Sequence, residues 1–273
     1  MRSLRRSLFR LLNSTPERKV SRSYLKASKN GDHEQYLALA ANYINLAQAF
    51  YGTTAHENIN IRLTRVEQIF SCLWQHIKYA ERLSDFEYML ASALVESTPK
   101  VCAIHSEEAL VTKMRLLEPY VRFAFIAYEF EKWPIRWVAL VLRIKLPELH
   151  GLLSQARCEL CGTSWESLSE GERECLIAIS ISMEKSPDIK FNKALGRHIR
   201  LYPRVSQIRA QWLELRPELV EVRHRYISER EEREQMLKNI YNATLDAPLE
   251  NPSLMDRVVN SVHFSRLRKI DIS

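Results

Sequence analysis

The chain has 273 residues, 46% apolar, with only six glycines: enough material for extensive cores, too little glycine for hairpin turns or phosphate-cradling loops. Its net charge of +7 is local, because residues 1–30 hold six Arg and three Lys against Glu17 and leave −1 for the remainder, which excludes a generally basic nucleic-acid-binding surface. Five cysteines without regular spacing and the lack of any apolar run of bilayer length predict a reduced, cytoplasmic, all-α protein with no integral membrane segment.

Residues 1–27 read as a basic N-terminal arm. Within it Arg2, Arg5, Arg6 and Arg10 alternate with Leu4, Leu8, Phe9, Leu11 and Leu12. Such a pattern fits either a basic amphipathic helix or a flexible arm. A first helical domain is expected over 28–95. Asn30-Gly31-Asp32 supplies a stop followed by a cap, and Tyr36, Leu39, Ala40, Tyr43, Ile44, Ala47 and Phe50 then recur at helical spacing up to Gly52. A second helix is expected from Asn60 to Tyr79, with Val66, Ile69, Phe70, Leu73, Trp74 and Ile77 on one face. A third follows Ser84-Asp85 and carries Phe86, Met89, Leu90 and Leu94.

Residues 96–105, which contain Ser97-Thr98-Pro99, lose this periodicity and read as a linker. A second domain over 106–162 begins with an expected helix from Glu107 to Ile126. It leads into PIRWVALVLRIKLPELHGLLSQAR, residues 134–157, which has the form of a helix-turn-helix. Pro134 and Pro147 each suit a first helical turn, Ala139 allows close approach and Ile144 plugs the corner. A helical hairpin buried in a core would show the same apolar spacing.

A third helical region is expected over 163–242, with a helix from Glu172 to Glu184 and a long helix from Val205 to Tyr241. Pro217 would kink or break that helix, and SEREEREQ would form a solvated turn. Trp212, Leu213, Leu215, Leu219 and Val222 would face a partner or other parts of this chain. Residues 243–273 read as a loop-rich tail. The sequence holds no glycine-rich nucleotide loop, no HExxH and no nucleophile with an evident partner, so neither catalysis nor a cofactor is expected.

The order of parts resembles the extracytoplasmic-function class of bacterial RNA polymerase sigma factors. In that class a first domain reads G-D-x-x-A-F, then E-V-F-x-x-x-W, then F-x-x-W-L. Here stand Gly31-Asp32-His33-Glu34-Gln35-Tyr36, then Gln68-Ile69-Phe70 with Trp74, then Phe86-Glu87-Tyr88-Met89-Leu90. The class's second domain, L-P-x-x-x-R-x-x-F ending in A-R-x-x-L, is matched by Glu118-Pro119 through Arg122, and by Ala156-Arg157 with Leu160.

The resemblance covers Gly31 to Gly162. It implies that Thr64, Arg65, Glu67 and Gln68 meet core RNA polymerase, and that Lys145, Glu148, His150, Gly151, Gln155 and Arg157 meet promoter DNA. Ala93-Leu94-Val95-Glu96 stands where the class carries basic and Asn residues, and Glu148 would repel phosphates. These departures keep a second expectation open, that the fold serves as an interaction or regulatory module that no longer initiates transcription.

The region after Gly162 resembles the N-terminal domain of zinc-type anti-sigma factors. His198 stands at the place of a ligand histidine, while Tyr202-Pro203-Arg204-Val205 replaces Cys-Pro-x-Cys. Without those thiolates no metal is expected, and packing by Tyr202, Val205 and Ile208 would take its place. The lone Cys158-x-x-Cys161, with Cys175 and His198, reads as incidental rather than as a zinc site.

Overall fold

Apolar spacing of about 3.6 residues from end to end requires helices that bury one face each. The computed structural model describes residues 16–54, 59–98, 109–184, 189–226, 229–245, 247 and 249. These contain thirteen α-helices and no strand. The first five are α1 (Pro16–Ser28), α2 (His33–Ala41), α3 (Ile44–Gly52), α4 (Ile59–Gln75) and α5 (Leu83–Glu96). Four follow around the helix-turn-helix: α6 (Ala109–Leu116), α7 (Pro119–Phe125), α8 (Ile135–Leu142) and α9 (Leu146–Leu160). The last four are α10 (Glu170–Glu184), α11 (Ile189–Arg200), α12 (Pro203–Arg225) and α13 (Arg230–Leu245). The amphipathic pattern of residues 1–13, the linker core and most of the tail lie outside the described residues.

Several boundaries differ from the sequence reading, each for a local reason. The second half of the expected arm is α1, which buries Leu25, Ser21 and Ser28 against α2. The helix expected up to Gly52 divides at Asn42-Tyr43, where Tyr43 leaves helical geometry and its hydroxyl turns inward. The helix expected over 107–126 breaks ahead of Pro119, which cannot continue a ladder and instead opens α7. Beyond α7 the chain widens into a π turn over Ile126–Phe130. α12 runs through Pro217 unbroken, and the chain breaks instead after Tyr226. The charged run, expected as a turn, is the first turn of α13, with Arg230 and Glu234 paired at 2.8 Å.

One hydrophobic cluster runs from Leu25 through α2–α5 and α6–α9 to Trp212, Leu219, Val222, Met236 and Ile240. Residues of α2–α5, of α6–α9 and of the C-terminal helices therefore share a core. Trp212, Leu219 and Val222 face inward as expected, whereas Leu213 is exposed. A smaller cluster joins Cys158, Leu168, Cys175, Leu176, Val205 and Ile208, with Tyr202 packed against it.

Two buried polar side chains of this core bridge different elements. Glu87 on α5, 1% exposed, accepts the Tyr43 hydroxyl at 2.9 Å and the Trp137 indole N–H at 2.6 Å. That carboxylate links the α2–α3 corner to the first helix of the helix-turn-helix. Arg122, equally buried, donates to the Thr53 carbonyl at 2.8 Å and lies over the Phe50 ring, joining α7 to the end of α3.

α13 closes the opposite side. Asn239 donates to Glu67 at 2.8 Å, Arg233 donates to the Ala41 carbonyl, and Trp74 donates to the Ala247 carbonyl at 3.1 Å. The Tyr226 hydroxyl donates to the Gly52 carbonyl, and its ring lies where a Cβ on residue 52 would be. Gly52 thus admits the aromatic side chain in addition to ending α3.

Replacing Trp137 with Phe keeps the ring and leaves one carboxylate oxygen of Glu87 short of this donor. Such a buried mismatch costs about 1–3 kcal/mol. Denaturant unfolding of Trp137→Phe is therefore expected to show a lower midpoint with an unchanged slope; an unchanged midpoint would refute the role given to this bond.

Candidate functional site

The helix-turn-helix owes its sharp corner to the end of α8. Arg143 adopts left-handed geometry with φ 58°, its N–H bonds the Leu140 carbonyl, and the Ile144 N–H reaches back to Ala139. This is the Schellman arrangement, in which glycine usually occupies the left-handed position. The same pattern stops α1 at Gly31 (φ 91°) and α9 at Gly162 (φ 79°). Arg143 carries the less favourable backbone while its side chain contacts Asp85 at 3.5 Å and lies over the Tyr88 ring. Both contacts tie the corner to α5.

α9 starts where expected, with Pro147 in its first turn. Glu148 turns back to accept the Lys145 backbone N–H at 2.9 Å, so this carboxylate acts as a helix cap. Lys145 is fully projecting, with 86% of its side chain exposed. Gln155 is half-buried and donates to Glu159. Gly151 is half-buried facing Ile177.

His150, expected on an exposed turn of the second helix, is buried instead, and so is Arg157, which was expected to meet promoter DNA. α10 lies along their face of α9. The His150 ring is within 3.0 Å of the Ser180 hydroxyl. Arg157 donates to that same hydroxyl at 3.1 Å and to Glu129 in the π turn at 2.8 Å, with its guanidinium over the Trp212 and Tyr128 rings. One arginine therefore pins α9 to the π turn, α10 and α12. A helix so covered cannot lay this face in a DNA groove without losing those contacts. Lys132, Arg136, Arg143 and Lys145 remain exposed beside the corner.

The residues expected to meet polymerase lie together on α4. Thr64 and Gln68 are exposed, whereas Arg65 and Glu67 are half-buried. Glu67 is engaged by Asn239 of α13, so the C-terminal helix occupies part of this surface as well.

Ser169 and Glu172 form a reciprocal cap at the start of α10. The Ser169 N–H and hydroxyl both donate to Glu172 Oε2, at 2.8 and 2.9 Å, and Arg204 of α12 approaches within 3.8 Å. The backbone bond from Ser169 leads in holding this carboxyl below its ordinary value. Burial pushes the Cys158 and Cys161 thiols up to about 12 and about 11, so both stay protonated near neutrality. His198 is exposed and packs edge-on to Tyr202. Among the described residues no three His, Cys, Asp or Glu side chains gather as metal ligands, and no helix is long and apolar enough to cross a membrane.

Ser180 and Glu129, which with Trp212 organise the buried face of α9, went unassigned in the sequence because each lies far along the chain from its partner. Comparison with protein-family models, with curated proteins and with solved structures gives no match.

A carboxyl held low in the folded state contributes stability above its unfolded value and loses it as pH falls through the folded one. For Glu172 that window lies below about pH 4.5. Glu118, Glu131 and Glu159 are pushed up by burial and act in the opposite sense. The difference between the native chain and Glu172→Gln isolates the cap. Between pH 6 and pH 3, roughly the span of carboxylate titration, the native chain is expected to lose more stability than the variant; parallel curves would contradict the assignment.

Proposed function

We propose that this chain is a non-catalytic, cytoplasmic transcription regulator resembling a sigma factor. It engages core RNA polymerase through α4 and promoter DNA through α8 and α9, and its own C-terminal helices modulate both surfaces. The observation that carries the proposal is the placement of the cover: α10 lies on the His150 and Arg157 face of α9, and α13 lies on α4 at Glu67. The ordered motifs from Gly31 to Arg157 supply the functional class, and the exposed cations around the corner support phosphate contact.

In this reading the closed conformer binds weakly because freeing α9 requires breaking the Arg157 and His150 contacts, and freeing α4 requires lifting α13. Affinity then scales with the populated open fraction.

The burial of His150 and Arg157 also favours a second reading, in which the sigma-like fold is retained as an interaction module and no longer initiates transcription. In that case α9 uses its former groove face solely for packing.

Pull-down of core RNA polymerase and salt-dependent promoter binding, together with run-off transcription, separate these readings. Ser180→Arg places a second cation beside Arg157 and is expected to loosen α10 and raise promoter retention several-fold, with a steeper salt dependence. Tyr226→Ala is expected to loosen α13 and raise polymerase retention. Polymerase binding without run-off product in either variant supports the interaction module. Binding of neither polymerase nor DNA by native chain and variants would sink the first reading and support the second.

A further inference from the structure

α12 has two faces. Val205, Ile208, Trp212, Leu219 and Val222 are buried and turn it toward α6, α9, α10 and α11. On the opposite side Ala210, Leu213, Pro217 and Val220 are exposed, Leu213 by 53% and Val220 by 52%. Their spacing of three, four and three residues is the a and d repeat of a helix that packs against another helix. The helix passes through Pro217 without a break, so the stripe is continuous for roughly 15 Å. Met183 of α10, also exposed, lines the same cavity as Leu213 and widens the apolar surface.

The residues bordering the stripe are charged, and their signs are ordered. Arg209 and Arg216 stand one residue before Ala210 and Pro217, on one border. Glu214 and Glu221 stand one residue after Leu213 and Val220, on the other. All four are exposed, and none makes an ion pair or side-chain hydrogen bond with the described residues. The other charges of α12 are placed differently: Arg204 is held by Ser167, Arg223 is half-buried, and Glu218 and Arg225 sit beyond the glutamate border.

A stripe with cations along one edge and carboxylates along the other complements itself in one orientation. When two copies lie side by side, running the same way and in register, Arg209 of one meets Glu214 of the other, and Arg216 meets Glu221. The two-fold axis repeats each pair, which gives opposite-charge contacts along both edges. Antiparallel pairing sets Arg against Arg and Glu against Glu instead.

We propose that this chain forms a parallel homodimer through the exposed face of α12, with Leu213 and Val220 in the seam. The apolar contact is short for a standard interface, so the dimer dissociates in the range of about 10–100 µM. It stands on its own whether or not the chain acts on polymerase.

Sedimentation velocity of the full-length protein, from about 1 to 300 µM to bracket that range, is expected to show a reversible monomer–dimer equilibrium. Leu213→Glu sets two like charges in the seam and is expected to weaken dimerisation at least about tenfold. The double variant Glu214→Arg with Glu221→Arg makes every border contact repulsive, as does Arg209→Glu with Arg216→Glu, and each is expected to weaken it at least about tenfold. An equimolar mixture of these two double variants restores the opposite-charge contacts and is expected to dimerise again. Because the exchanged side chains are exposed and without partners in their own chain, the melting temperature of dilute monomer is expected to hold. Ala210→Cys in a Cys72→Ser background reads the orientation: the parallel register brings the two 210 positions together, and mild oxidation is expected to link them. The proposal is overturned if the native chain stays monomeric throughout, if its dimers ignore the charge reversals, if the mixture fails to dimerise, or if dimers form without the residue-210 crosslink. Polymerase binding that Leu213→Glu abolishes, in a native chain that stays monomeric, would give this face another occupant and likewise overturn it.

Discussion

A carboxylate sealed inside a helical core must be met by donors, and the architecture around Glu87 follows from that requirement. Tyr43 and Trp137 approach it from different elements, so the corner between α2 and α3, the interior of α5 and the start of α8 are held in mutual register. Phe86 and Trp133 pack against the Tyr43 ring and exclude water from the same place. Low local dielectric strengthens each of these bonds and makes the loss of any one expensive. The helix-turn-helix is therefore anchored to the first helices through a polar contact in addition to apolar area.

Arg157 performs a comparable task at the other end of α9, with a different consequence. Its donors are divided between the π turn and α10, and its flat face meets Trp212. A cation that would suit phosphate in an open helix here meets the half-buried Glu129 carboxylate. Any partner for this face of α9 must compete with contacts already formed by helices far along the chain.

Local chemistry made much of the chain legible. Gly31 and Gly162 mark Schellman stops, Asp32 caps α2, and Pro147 opens α9, each as the sequence suggests. Apolar spacing located most helices and nearly all the large core side chains, including Trp74, Phe70 and Trp137. Other local signals misled. Pro217 stands inside a continuous helix, and Asn42-Tyr43, which carry no proline or glycine, divide another. Propensity weighs a residue by its type, whereas tertiary contacts decide whether its cost is offset. The inward bond from Tyr43 to Glu87 is an instance in which the distant contact prevails.

By itself the sequence determined the all-α class, the helix-turn-helix corner, the concentration of positive charge at the N-terminus and the inward faces of most helices. These depend on residue type and on spacing within a few turns, where one helix face repeats regardless of what covers it. Tertiary structure alone decided that α10 covers the His150 and Arg157 face of α9, that α13 lies on α4, and that Trp212 meets the Arg157 guanidinium. Those outcomes depend on which of several similar amphipathic faces meet. Apolar attraction is non-directional and does not encode that choice locally. Shape and the pairing of a few buried polar groups select it, and both exist only once the chain has folded.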